Sequence, residues 1–113
     1  MAKIIAEKDA HGLMHLIGVQ EEGIKYMLPK TKFRLILLEN VRNAIANIVK
    51  QEMLAQGGDA AVNKGCVNCT VKKSDVLIMG NLKQINGLIK KMKVQVSESK
   101  EIAEEIKKII KDI

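Results

Sequence analysis

Two short runs dominate the hydrophobic pattern: Phe33 to Leu38 (FRLILL) and Asp75 to Met79 (DVLIM). Both are apolar at nearly every position. Such brief, continuous runs read as strands buried on both faces. After the first run, Asn40 is placed to cap a helix from Val41 to Gln56. Val41, Ile45, Ile48, Val49 and Met53 recur at helical spacing, and Arg42, Asn43, Lys50 and Gln51 fall elsewhere. Gly57-Gly58 ends that helix, with one glycine supplying a left-handed turn. Asp59 to Lys64 and Cys66 to Val71 read as two short strand-like pieces.

After DVLIM, Gly80 turns the chain and Asn81 caps the next helix. Gln84 stands three residues on, where a capping box needs it. Leu82, Ile85, Leu88, Ile89 and Met92 form the buried face of that helix. Lys93 to Val96 (KVQV) alternates like an edge strand. Ser97 or Ser99 then caps a last helix, with a ridge of Ile102, Ile106, Ile109, Ile110 and Ile113. Glu104 precedes Lys108 by one turn, the favourable order for an ion pair. Upstream, Asp9 to Ile17 reads as a short helix stopped by Gly18, Glu21 to Met27 as another, and Pro29 as the start of a linker.

The order is βαββαβ with helices added at both ends. The spacing of the two most apolar strands favours parallel neighbours. The expected fold is an α+β, ferredoxin-like sandwich. All 113 residues fit one domain, 1–113.

Composition changes this picture little. Phe33 and Tyr26 are the only aromatics, so Ile, Leu, Val, Met and Ala must build the core. Met53, Met79 and Met92 read as core filling. The start, MAKIIAEKDA, lacks the apolar run of a signal peptide. No segment has the length of a membrane span, so no membrane partner is expected. Two cysteines without an export signal point to a reducing cytoplasm. The net charge is +6, which suits a polyanion or simply a lysine-rich solubilising surface. No aromatic accompanies the lysine clusters to stack on bases, so nucleic acid is not the expected partner.

Cys66 and Cys69 form a CxxC pair. Such a pair can be a redox couple or half of a zinc site, with His11 and His15 as the other half. More often, a lone CxxC marks two ordinary strand residues. Gly57-Gly58-Asp59 follows a helix, whereas a phosphate loop precedes one, so it reads as a helix stop. Gly80-Asn81 has strand, glycine and helix start in the correct order but lacks further glycines. The polar residues Asn47, Lys50, Gln51, Glu52, Gly57, Gly58, Asp59, Asn63 and Asn81 are the candidate ligand-binding set, because a core does not require them. With Asn40 as a second helix start, they suit a pterin-like or anionic small molecule. No catalytic residue can be named, and no cofactor is expected.

The block from Lys50 through Lys83 is unusually specific. It holds Lys50-Gln51-Glu52-Met53-Leu54, Gly57-Gly58-Asp59-Ala60-Ala61-Val62 and Asp75-Val76-Leu77-Ile78-Met79-Gly80. Ala46-Asn47-Ile48 precedes it, and Gly23-Ile24-Lys25, Met27 and Pro29-Lys30 lie upstream. Together these residues resemble the N-terminal region ahead of the catalytic barrel in clostridial-type dihydropteroate synthases. Ser74 and Asn81 stand where that family commonly has Thr, and the Cys pair is not a fixed part of its pattern. The resemblance implies an accessory or interaction domain, linked to pterin or folate biosynthesis and working with a pterin-pathway protein. The barrel itself needs about 250 residues, so the synthase reaction is not expected of these 113 residues. The isoleucine ridge of the last helix adds the expectation of a homodimer.

Overall fold

The structure, a computed structural model, describes residues 1–111. Ile113, assigned above to the last isoleucine ridge, lies outside the described residues. The described residues form an α+β fold with five α-helices and a three-stranded antiparallel sheet. The helices are α1 (Ala10–Ile17), α2 (Glu21–Met27), α3 (Asn43–Ala55), α4 (Leu82–Lys93) and α5 (Ser97–Ile110). The strands are β1 (Phe33–Arg42), β2 (Asp59–Ala61) and β3 (Lys73–Asn81), in spatial order β1-β3-β2. Both β1 and β2 run antiparallel to the central β3. This corrects the parallel neighbours expected for FRLILL and DVLIM. The α3 crossover joins β1 to β2, which lie two places apart, and β3 folds back into the gap as a split βαβ unit does.

One face of the sheet carries the core. Ile36, Leu38 and Val41 of β1 and Val76 and Ile78 of β3 pack against Ile45, Val49 and Met53 of α3 and Ile85, Leu88 and Met92 of α4. Ala103 and Ile106 of α5 close the same cluster. The α5 ridge is therefore turned inward onto the domain's own core, with Ile109 left exposed.

Because this covering lies on one face, β1 is not buried on both. Its outward residues Phe33, Leu35 and Leu37 are 58%, 65% and 58% exposed. The strand also continues past the expected cap. The register shifts between Leu38 and Val41, and Asn40 takes φ +53° within the shift. An extra residue there restores Val41 to the buried face, which strict alternation would have denied it. Asn tolerates the left-handed conformation, and the Asn40 N–H donates to the Asp75 carboxylate at 3.0 Å. Asn40 is thus a bulge residue rather than a helix start, and α3 begins at Asn43.

Two other expected strands do not form. The stretch from Cys66 to Val71 is a series of turns, with Cys69 at φ +59°. Lys93 ends α4 and Val94 and Val96 face solvent, so KVQV forms no fourth strand. Neither Ser97 nor Ser99 caps α5 through its side chain. Glu104 sits 3.8 Å from Lys93 on α4, an ion pair between helices.

The expected punctuation is present elsewhere. Gly18 ends α1 at φ +94° and Gly57 follows α3 at φ +91°. Asn81 and Gln84 form the reciprocal capping box of α4. Residues 28–31 after α2, including Pro29, form a short 3-10 turn. At the N-terminus, α1 buries no residue. A double contact from Arg34 to the Glu7 carboxylate, 2.9 and 3.3 Å, ties this arm to β1. The molecule is elongated, 52 × 30 × 23 Å. No described helix is long and apolar enough to cross a membrane.

Candidate functional site

Most of the polar residues singled out from the sequence are held by the fold itself. The Asn47 side-chain amide donates to the Cys66 carbonyl at 2.9 Å and fastens the 63–71 loop to α3. Lys50 donates to the Asp59 carboxylate at 3.1 Å and to the Ala60 carbonyl at 2.8 Å, joining α3 to β2. The Ala60 N–H bonds the same Asp59 oxygen at 2.8 Å. That bond, followed by Lys50, holds the Asp59 carboxyl below its ordinary pKa. The Asn63 side chain accepts from Gly65 N–H at 2.8 Å, and the Asn63 N–H donates to the Ser74 hydroxyl at 2.9 Å. Asn81 is occupied as a cap. Gly58 lies so close to β3 that an added Cβ would stand 2.7 Å from the Met79 carbonyl oxygen. Gln51 is exposed and Glu52 half-buried on the same helix. Asn47, Lys50, Asp59, Asn63 and Asn81 are thus joined in hydrogen bonds within the protein.

The CxxC pair is split by burial. Cys66 is in the core, whereas Cys69 is exposed, and both are free thiols. His11 and His15 sit on α1. Among the described residues, no group of three or more His, Cys, Asp or Glu side chains is gathered as a metal site. The four-ligand set conceived from the sequence is therefore not assembled.

Two features absent from the sequence reading stand out. The first is the outward sheet face. The strand register sets Leu35 opposite Met79 and Leu37 opposite Leu77, with Phe33 opposite Asn81 at one end. Met79 and Leu77 are half-buried. The result is an apolar field with Glu39, Asp75 and Lys73 exposed at its margins, while Arg42 pairs with Glu98 of α5 and Asp59 with Lys50 of α3. Alternating polarity would have revealed a one-sided strand, but FRLILL has apolar residues on both faces.

The second is a cleft of about 590 Å³ between the 28–31 turn, the end of α3 and the start of α4. Lys30, Lys83 and Lys90 line it together with Gln56 and Asn86, and no acidic side chain among the described residues does. Gly87 makes room for the Gln56 amide, whose oxygen an added Cβ would strike. Beside the cleft, the Lys83 ammonium bonds the Tyr26 hydroxyl at 2.6 Å. Lys30 and Lys83 lie 4.4 and 4.1 Å from the centre of the Tyr26 ring, within cation–π range. The Lys83 bond and then the Lys30 charge lower the Tyr26 pKa. Lys30 and Lys83 are far apart in sequence, so no local motif marks their meeting.

Comparisons with protein-family models, with curated proteins and with solved structures return no match.

Proposed function

We propose that this chain is a non-catalytic interaction domain that docks through the open face of its sheet, with a second copy of itself as the occupant. The observation that carries the reading is the exposed row Phe33, Leu35 and Leu37 beside Leu77 and Met79. Contiguous apolar patches of this kind on a small protein mark interaction surfaces. A flat apolar field is complementary to itself, and two such sheets can pack face to face. The mixed signs at its margin leave no one-signed barrier to self-pairing. The long strands β1 and β3 and the three-residue β2 give a face of about 330 Å² in flat projection. A standard interface buries about 800 Å² per partner, so the expected dimer is weak rather than obligate.

The frame is read as a ferredoxin-like sandwich in which the place of a fourth strand, beside β1, stands open. The resemblance of the Lys50 to Gly80 block supports a setting in pterin or folate biosynthesis. The two free thiols suit a reducing cytoplasm. Sedimentation velocity from low micromolar to near-millimolar concentration tests the docking. A rise toward the dimer supports it. A monomer throughout, together with capture of a pterin-pathway enzyme, moves the occupant to that enzyme. A monomer that captures no such enzyme overturns the reading.

The lysine cleft supports a second reading, a module for an anionic small molecule. Three ammonium groups line one cavity with no carboxylate among the described lining residues, and an anion would relieve their repulsion. Thermal-shift titrations with phosphate, pyrophosphate, pterins and nucleotides test it. Stabilisation that disappears in Lys83→Ala supports the site, and no shift with any of these compounds removes it.

A further inference from the structure

The geometry points to a divalent transition-metal site on α1, formed by His11 and His15 without the cysteines. The two histidines are one helical turn apart, and their Nε2 atoms face each other at 3.3 Å. A tetrahedral zinc ion with Zn–N bonds of about 2.0–2.1 Å separates two ligand nitrogens by about 3.3–3.4 Å. The pair therefore already has the bite of a chelate, and the exposed face of α1 leaves the approach to it open.

A second observation supports the same assignment. His15 Nδ1 lies 3.6 Å from the Glu21 carboxylate, across the turn between α1 and α2. A carboxylate behind a metal-binding imidazole holds the proton on the far nitrogen and turns the near lone pair toward the ion. Here the contact is longer than a hydrogen bond, so Glu21 supplies a negative charge on the Nδ1 side and leaves Nε2 facing His11. Without metal, the two Nε2 atoms share one hydrogen bond, with the donor set by the tautomers. With metal, that hydrogen bond is replaced by two coordinate bonds, and the shared proton moves to Nδ1 of the ring that carried it. Neutral rings then lose no proton overall.

Imidazole donors select zinc, nickel and copper over calcium and magnesium. Two protein ligands leave a tetrahedral ion two positions for water or for donors from another molecule. The site is thus an open one, unlike the closed four-ligand set of a structural zinc. It also staples a short surface helix that buries no residue of its own.

The test uses the full chain without a polyhistidine tag, stripped with chelator and titrated with Zn²⁺ and Cu²⁺ by calorimetry. One metal per chain is expected. His11→Ala and His15→Ala should each weaken binding by at least about tenfold, and the smaller loss belongs to Glu21→Gln. The Cys66→Ser, Cys69→Ser double variant should bind as the parent does. Electron paramagnetic resonance of the Cu²⁺ form should show nitrogen coupling that His11→Ala reduces. The inference is overturned by absence of saturable binding, by binding indifferent to both histidine variants, or by binding that follows the cysteines.

Discussion

Leu35 of β1 and Met79 of β3 stand opposite each other on the uncovered face of the sheet. Their neighbours Ile36 and Ile78, one residue away on each strand, are opposed on the covered face and sit in the core. One ladder thus separates a buried row from an open one, and the open row is as apolar as the buried one.

Asp59 should make stability depend on acid. Its folded-state pKa lies below the unfolded value, because the Ala60 N–H and the Lys50 ammonium bind the ionised carboxylate. The contribution is fully present above the ordinary aspartate range near pH 4 and is lost as pH falls through the depressed folded value. Denaturant melts across the acid range should show this decline, and Asp59→Asn should flatten that part of the profile.

Two glycines should respond in opposite directions to alanine. At Gly58 the new methyl meets the Met79 backbone oxygen at 2.7 Å, where movement would disturb the Asp59–Met79 pairing. Gly58→Ala should cost about 1–3 kcal/mol. At Gly12, inside α1, nothing lies within 4 Å, and Gly12→Ala should favour that helix by about 0.5–1 kcal/mol. Thermal unfolding reads the first and helical circular dichroism the second.

Ser99 is fully buried, and its hydroxyl finds no hydrogen-bond partner among the described residues. Removing an unsatisfied buried hydroxyl relieves its desolvation cost. Ser99→Ala should leave stability unchanged or raise it by about 1 kcal/mol. A clear loss in urea melts would mean that the hydroxyl is bonded in solution.

Asn81 caps α4 on both sides of a capping box. Asn81→Ala should cost about 1 kcal/mol in the same melts, with faster amide exchange in the first turn of α4. Unchanged exchange there would show that the box contributes nothing.

Local signals were legible where the chemistry is local. The Asn81 and Gln84 pair announced the start of α4, and Gly18 and Gly57 announced the stops after α1 and α3. Tertiary choices were not legible. FRLILL is apolar on both faces, so nothing in it says that helices cover only one. The bulge at Asn40 depends on the Asp75 carboxylate across the sheet. The 63–71 loop, which reads as strand, is held by Asn47 from another element. The polar residues from Asn47 to Asn63 were visible as unusual, but their role as a bracing network needed their partners.

The central claim is that the open sheet face docks a second copy. The most direct measurement is sedimentation equilibrium of the parent beside a Leu35→Lys, Leu37→Lys double variant, with folding of both checked by circular dichroism. Both side chains are mostly exposed, so the variant should fold. The account predicts a reversible dimer for the parent and a monomer for the variant at every concentration. A parent that stays monomeric, or a variant that associates as strongly as the parent, would contradict it.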